Sequence, residues 1–271
     1  MISFDFEYIL PETMDELLDC VKALNNEGIS YVYYAGGTEL VTSFRQGKVS
    51  PGAVVDLKGL PEMTSITETD DEVIIGACVS LNRIVEHVAL SRLKQSIEPI
   101  ADHTVRNALT IGGNICGRLP YREAVLPLIG LDAEVVIASP NGSKRVKLSE
   151  VFDKRLLLEK DAFLFQIIVK KVPVKWQFAE RITSTVEVDY PVIHLVAICT
   201  DEMVTLAISG YASFPVFWRI PVLTFEKWED PKSEIVSQFF DHAKSDMRSD
   251  KTYRQHLLEH LVDKMLREVA K

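Results

Sequence analysis

Residues 105–115 read Val105-Arg106-Asn107-Ala108-Leu109-Thr110-Ile111-Gly112-Gly113-Asn114-Ile115. The paired glycines let a ligand approach the backbone closely, and Asn114 carries both a donor and an acceptor for a ring or a ribose. The structural alternative for the same residues is a glycine bulge in a loop. Taken alone, this stretch therefore indicates a ligand-binding loop without excluding a simple turn.

A second glycine pair, Ala35-Gly36-Gly37-Thr38-Glu39-Leu40, lies where a predicted strand (31–35) runs into a predicted helix (38–46). Glycines there let the backbone reach positive φ, so that successive N–H groups can face phosphate oxygens. A plain strand-to-helix turn with Thr38 as the N-cap is the structural alternative. The pattern is neither a GxGxxG fingerprint nor a P-loop. Together the two pairs predict a cleft between subdomains that holds a diphosphate and a planar ring.

Hydrophobic periodicity and turn residues predict the other elements. A capping box at Thr13–Glu16 starts the first helix and Gly28 ends it, which gives a β-α-β-like opening with the next strand at 53–57. Residues 103–118 are predicted to be irregular. The remaining predictions are hairpins at 65–79 and 133–148, helices at 80–88 and 91–101, strands at 162–169, 176–182, 192–199 and 203–209, a short fourth strand at 214–220, and a helical tail.

Composition excludes several classes of protein. The net charge of −9 over 271 residues supplies no basic field for nucleic acid. No signal peptide and no run of 18 apolar residues is visible, so no membrane span is expected. The four cysteines form no CxxC pair, and the spacing of the six histidines matches no metal or hydrolase motif. We therefore expect a reduced, cytoplasmic protein with no catalytic residue and no metal of its own.

Taken together, the two glycine motifs resemble those of the FAD-binding (medium) subunits of molybdenum hydroxylases, the family of the xanthine dehydrogenase FAD subunit and the carbon monoxide dehydrogenase medium subunit. The resemblance extends to Pro120 and Glu123 after the second motif, to Asp189-Tyr190-Pro191, and to Tyr253-Arg254. The sequence departs from the family pattern at Tyr121 and Arg122, where small residues are usual, and at Glu123, where Asp is usual. A basic residue is expected near Glu180, and Arg181 stands beside it.

The resemblance implies an α+β fold: a two-subdomain, PCMH-type FAD-binding module, followed by a smaller α+β C-terminal domain with a three-stranded antiparallel sheet and helices. The FAD-binding domain would span residues 1–172, with subdomains of about 1–57 and 58–172, and the C-terminal domain 173–271. By the same resemblance, non-covalent FAD would be bound by Ala35, Gly36, Gly37, Thr38, Glu39, Leu40, Thr110, Ile111, Gly112, Gly113, Asn114, Cys116, Gly117 and Glu123.

The resemblance also implies an oxidoreductase subunit that transfers electrons. Molybdopterin would belong to a large partner and [2Fe–2S] clusters to a small one, in a hetero-oligomer, with NAD+ or another compound as the electron acceptor. One alternative is an assembly or adaptor subunit with weak or no flavin binding. Another is a self-contained flavin oxidase or reductase, against which the sequence offers no obvious histidine for covalent flavin attachment and no added substrate domain.

Overall fold

The computed structural model describes residues 1–185 and 188–270, which form two compact units. Unit 1 contains residues 1–84, 103–117 and 134–169, and unit 2 contains residues 85–102, 118–133 and 170–271. Residues 186, 187 and 271 of the predicted C-terminal domain lie outside the described part. The domain boundary after residue 172 and the subdomain boundary near residue 57 stay predictions.

Within residues 1–185 and 188–270, the two units contain fourteen strands and twelve α-helices. The strands are β1 (Glu7–Ile9), β2 (Tyr31–Tyr34), β3 (Ala53–Asp56), β4 (Ile66–Glu68), β5 (Glu72–Gly76), β6 (Glu134–Ser139), β7 (Gly142–Lys147), β8 (Phe152–Asp153), β9 (Arg155–Leu156), β10 (Phe163–Lys170), β11 (Trp176–Thr183), β12 (Pro191–Cys199), β13 (Met203–Ser209) and β14 (Val216–Pro221). The helices are α1 (Met14–Glu27), α2 (Thr38–Arg45), α3 (Pro61–Thr64), α4 (Leu81–Glu86), α5 (Ser91–Ile97), α6 (His103–Ala108), α7 (Ile111–Cys116), α8 (Val125–Gly130), α9 (Leu148–Val151), α10 (Val222–Phe225), α11 (Pro231–Phe239) and α12 (Lys251–Val269).

Unit 1 opens with a parallel sheet of order β1-β3-β2, which confirms the predicted β-α-β start. The central strand β3 is buried along its whole length. Helix α1 buries Leu17, Val21 and Leu24, which recur at helical spacing on one face. Its N-cap Thr13 accepts a hydrogen bond from the backbone of Glu16, and its C-cap Gly28 is left-handed, as predicted.

A second sheet of unit 1 has the order β4-β5-β10-β6-β7 and contains both predicted hairpins. Its edge strand β7 carries Lys144, Arg145 and Lys147, and most of the strand is exposed. Arg145 in the middle of that strand forms ion pairs with Glu72 and Glu134. Charged side chains on an edge strand also disfavour pairing with another chain.

The prediction that residues 103–118 are irregular is wrong, because two short helices, α6 and α7, occupy most of this stretch. Glycine disfavours helix, so the composition of 111–116 conceals the element. Helix α7 is stabilised instead by its N-cap, because Thr110 Oγ1 accepts a hydrogen bond from the backbone N–H of Gly113 at 3.1 Å. Two predicted helices are also shorter than expected: α4 ends at Glu86 and α5 at Ile97.

Unit 2 is built on an antiparallel sheet of order β11-β12-β13-β14. The sheet therefore has four strands where the fold-class prediction gave three, and the short fourth strand suggested at 214–220 is β14. Every residue of β12 is buried. Helix α8 packs on β12 and β13, and α12 packs on β11 and β12. Among the residues that the structure describes, no helix is both long and apolar enough to cross a membrane.

Candidate functional site

The two glycine motifs, which are far apart in the sequence, meet within unit 1. A Cβ atom on Gly36 would overlap the backbone carbonyl oxygen of Ala108 and lie 3.3 Å from Cγ2 of Thr110. The chain at 35–37 therefore rests directly on the segment that leads into α7, and only glycine permits that approach. The two motifs thus lie next to each other at these residues, and a cofactor cleft formed by them stays a prediction.

Gly37 is the residue at which the first motif becomes a helix. Its φ of 74° is left-handed, and it caps α2 without a side-chain hydrogen bond. A Cβ atom there would also overlap the hydroxyl of Tyr34, so both backbone conformation and space favour glycine. Thr38 is the first residue of α2 and Gly37 is its N-cap, so the prediction of Thr38 as the N-cap of this strand-to-helix turn is wrong.

The second motif is held by the protein's own backbone. The N–H groups of Ile111 and Gly112 donate to the carbonyls of Val79 and Ala77 at 3.0 and 2.8 Å. A Cβ atom on Gly112 would lie 2.6 Å from the Ala77 oxygen, so this glycine is required for packing. The expectation of positive φ is wrong for Gly36, and Gly112 and Gly113 of the second motif do not adopt positive φ either.

The predicted cofactor-binding residues of unit 1 differ in their exposure. Thr38, Gly113 and Cys116 are exposed, whereas Thr110, Ile111 and Gly112 are buried. The others are half-buried: Ala35, Gly36, Gly37, Glu39, Leu40, Asn114 and Gly117. The carboxylate of Glu39 reaches the far end of α7, since its Oε1 lies 2.7 Å from the position of a Cβ atom on Gly117. The two motifs thus contact each other at both ends of α7.

The start of α2 fits the diphosphate of a dinucleotide. Helix α2 begins without a side-chain cap, next to the exposed hydroxyl-bearing residue Thr38. An uncapped helix N-terminus presents backbone N–H groups and a partial positive charge, both of which suit an anion. The second motif fits less directly, because the protein already satisfies the N–H groups of 111–114.

Glu123, the last predicted cofactor-binding residue, belongs to unit 2 and only 3% of it is exposed. Its Oε2 accepts a hydrogen bond from Arg181 Nε at 2.7 Å and lies 2.7 Å from His194 Nδ1. Burial alone would raise the pKa of Glu123, but its hydrogen bonds and ion pairs with His194 and Arg181 lower that pKa below its ordinary value. Glu123 is therefore ionised and engaged inside unit 2, and its role as a cofactor ligand stays a prediction.

The partners that position these residues are not evident from the sequence. Arg181 and His194 face each other on the paired strands β11 and β12, so the sheet register brings both to Glu123. In unit 1, Lys58 Nζ donates to the carbonyl of Ala35 at 2.8 Å, and Asn82 Nδ2 donates to the carbonyl of His103 at 2.7 Å. The only early signal for any of them was Arg181, noted beside Glu180 where the family has a basic residue.

The cysteines and other metal-binding residue types form no centre in the part of the chain that the structure describes. Within residues 1–185 and 188–270, no group of three or more His, Cys, Asp or Glu could hold a metal ion. Cys78 and Cys199 are buried, whereas Cys116 is exposed at the end of α7. Burial raises the pKa of the Cys78 thiol to about 12, so it stays protonated at neutral pH.

Comparison with known proteins yields one family and several relatives. The family described as the FAD binding domain in molybdopterin dehydrogenase matches residues 4–171. The nicotinate dehydrogenase FAD-subunit of Eubacterium barkeri is 28% identical over 62% of this chain and 59% of its own length. The carbon monoxide dehydrogenase medium chain of Hydrogenophaga pseudoflava is 30% identical over 62% and 60%. The match thus spans about three fifths of each of these relatives' own length.

Solved structures share the fold over nearly the whole chain. A chain of the reconstituted CO dehydrogenase from Oligotropha carboxidovorans superposes with a TM-score of 0.82 and 18% sequence identity, and the match covers 97% of both chains. At this identity the likeness concerns the fold alone. It extends beyond residue 171, where the family match ends.

Proposed function

The chain belongs to the family of FAD binding domains in molybdopterin dehydrogenases, and on this premise we propose that it is the FAD-carrying electron-transfer subunit of a molybdopterin-dependent hydroxylase or dehydrogenase. Substrate oxidation takes place on a large molybdopterin-binding partner, and a small [2Fe–2S] partner delivers the electrons to this chain. NAD+ or another compound accepts them. The assembly is a cytoplasmic hetero-oligomer, and residues 1–172 form its FAD-binding domain.

The observation that carries this proposal is the contact between the two glycine motifs in unit 1. Gly36 lies against Ala108, and Glu39 lies against Gly117. Segments that are distant in sequence are thereby brought together beside the uncapped end of α2. A dinucleotide needs such an arrangement, because its diphosphate and its ring system must be held together.

Within this proposal each motif has its own task. FAD, when bound, supplies the redox chemistry, and the protein binds and orients it. The start of α2 and Thr38 bind the diphosphate, because they offer backbone and hydroxyl donors. The second motif gives the site a rigid wall, since its backbone is fixed to residues 77–79, and Asn114 and Cys116 are its accessible polar side chains. No side chain of this subunit is assigned an acid–base step.

A second candidate function is an assembly or adaptor subunit with weak or no flavin binding. The observation that favours it is the state of Glu123, whose carboxylate is buried against Arg181 and His194. A cofactor ligand in that position would have to share an oxygen with these two partners. The two candidates differ in one measurable property, which is the affinity of the chain for FAD.

The test is a titration of the purified chain with FAD, followed by flavin fluorescence and by the visible absorption of the retained cofactor. The variant Gly37→Ala should lose FAD, since an added Cβ atom strains a left-handed residue and displaces Tyr34. Gly28→Ala is the matched control, because Gly28 has a φ of 69° and no atom within 4 Å of a Cβ position. Each variant should cost about 1 kcal/mol or more of unfolding free energy, but only the first should affect the flavin.

Two outcomes would count against the proposal. If the unaltered chain retains no flavin and FAD does not raise its unfolding temperature, the adaptor function is correct. If Gly37→Ala binds FAD as tightly as the unaltered chain, the first motif is not a flavin loop. Affinity purification from native lysate tests the partners separately, since large molybdopterin and small iron–sulfur subunits should be recovered together with this chain.

A further inference from the structure

Lys58 lies in a single 3-10 turn, Leu57–Gly59, that follows the buried strand β3. Its ammonium nitrogen is 2.8 Å from Oδ1 and 2.6 Å from Oδ2 of Asp56, and 2.8 Å from the carbonyl oxygen of Ala35. It also lies 4.3 Å from the centre of the Tyr34 ring. A single side chain thus links the end of β3 to the two residues that precede Gly36.

Asp56 fixes the position of that ammonium group. Only 1% of Asp56 is exposed, and its carboxylate also accepts hydrogen bonds from the hydroxyl of Tyr8 and the backbone N–H of Lys58. The hydrogen bond to Asp56, together with burial, raises the pKa of Tyr8 to about 12, so Tyr8 remains a neutral donor. A buried carboxylate with these donors holds the lysine in one place, because moving it would leave the charge unpaired.

The other two contacts of Lys58, with the Ala35 carbonyl and with the Tyr34 ring, are both at the first glycine motif. Ala35, whose carbonyl it binds, is the residue before Gly36. Tyr34, whose ring it faces, occupies the space beside Gly37, where a Cβ atom would overlap the tyrosine hydroxyl. The backbone of the loop and the ring beneath it are therefore both anchored to the same cation.

We propose that Lys58 is the positioning residue of the first flavin loop, an assignment that rests on the proposed function. An ammonium group has three hydrogens, and its neighbours here are the two Asp56 oxygens and the Ala35 carbonyl. Lys58 therefore acts through the protein and does not itself bind phosphate. By holding the Ala35 carbonyl it orders the following N–H groups before the ligand arrives, which reduces the entropy lost on binding.

The experiment compares Lys58→Met with the unaltered chain and with Lys48→Met, which removes an exposed lysine of the same unit. FAD affinity is measured by fluorescence titration, and amide hydrogen exchange of residues 35–40 is measured without ligand. Lys58→Met should weaken FAD binding about tenfold, as expected for the loss of charge-assisted hydrogen bonds, and should speed exchange in 35–40. Lys48→Met should change neither quantity.

Two further variants separate positioning from stability. Asp56→Asn combined with Lys58→Met removes both charges, so the chain folds without an unpaired buried carboxylate and should still bind FAD weakly. Lys58→Arg keeps the cation beside Asp56 and Tyr34 and should restore most of the affinity and the visible circular dichroism of the bound flavin. Unchanged affinity and unchanged exchange in the double variant would overturn the inference. If the unaltered chain binds no FAD, the proposed function fails, and the exchange measurement alone then decides whether Lys58 orders the loop.

Discussion

Glu123 places a negative charge in the interior of unit 2, with two cationic or proton-donating partners around it. Arg181 approaches its carboxylate with Nε at 2.7 Å and Nη2 at 3.3 Å, and also donates to the carbonyl of Asp189 at 2.6 Å. His194 is itself 1% exposed. Removing one member of such a buried group costs about 3–5 kcal/mol, because its partners stay buried without it.

The lowered pKa of Glu123 predicts how stability depends on pH. A carboxyl whose pKa is lower in the folded state stabilises the fold fully when the pH lies above its ordinary pKa of 4.5. That stabilisation is lost as the pH falls through the lower pKa of the folded state. The unfolding temperature of the unaltered chain should therefore fall on acidification from about pH 5 to about pH 3. Glu123→Gln should unfold at a lower temperature at neutral pH and show a smaller acid dependence.

The control for this prediction is Glu229→Gln, which removes an exposed carboxyl of the same unit and should leave the pH dependence as it is. Thermal unfolding followed by far-UV circular dichroism gives both quantities. An acid transition that is as steep in Glu123→Gln as in the unaltered chain would show that another group carries it.

The glycine motifs are easier to recognise from the sequence than the side chains that position them. Gly36 and Gly37 are visible as a motif because their spacing to a strand and a helix is local. Lys58 is not visible, because its partner in the loop is the backbone carbonyl of Ala35, which leaves no trace in residue identity. The Glu123 cluster likewise depends on the pairing of Arg181 with His194 across two strands, and register is a tertiary property.

Helix α7 shows how a cap can create an element that composition conceals. Its six residues include two glycines, yet Thr110 supplies an acceptor for the Gly113 N–H and also pairs with Ser80 in an isolated bridge. Asn82 forms two hydrogen bonds with the neighbouring helix α6: it donates to the carbonyl of His103 and accepts from Arg106 Nε at 2.9 Å. Neither the Thr110 cap nor the Asn82 hydrogen bonds can be inferred from helix propensity, so the sequence predicts an irregular stretch here.

Thr110→Val should lower the unfolding free energy by about 1 kcal/mol, because it removes the N-cap of α7. It should also weaken FAD binding, since the second motif then loses a fixed start. Thr13→Val is the matched control, as Thr13 caps α1 by accepting from the backbone of Glu16. It should cost a similar amount of stability without affecting the flavin. Chemical denaturation and FAD titration measure the two effects, and equal flavin affinity in both variants would contradict the prediction.

The two units are built from segments that alternate along the chain. Unit 2 takes residues 85–102 and 118–133 from the first half of the sequence and combines them with the segment from 170 onward. Helix α8 in the second of these segments is buried at every position and packs on β12 and β13. A Cβ atom on Gly130 would lie 2.7 Å from Cδ1 of Ile198, which shows how closely the helix approaches the sheet.

A fragment of residues 1–172 should therefore be unstable on its own, because α8 loses the strands that cover it. We expect it to bind a hydrophobic dye and to aggregate, whereas the chain of 271 residues does neither. Adding a separately produced fragment 173–271 should reduce both effects. A monomeric fragment 1–172 that unfolds cooperatively would contradict this prediction.

Because the segments of the two units alternate along the chain, unit 1 has all its residues outside the ribosome before unit 2 does. All residues of unit 1 have left the ribosome once position 169 has emerged. The apolar segment 125–130 emerges earlier than β12 (Pro191–Cys199) and β13 (Met203–Ser209), the strands that receive it. Since synthesis proceeds at roughly 5–20 residues per second, that segment waits for several seconds without its partner. Chaperones that shield apolar chain during this interval should therefore raise the yield of folded protein.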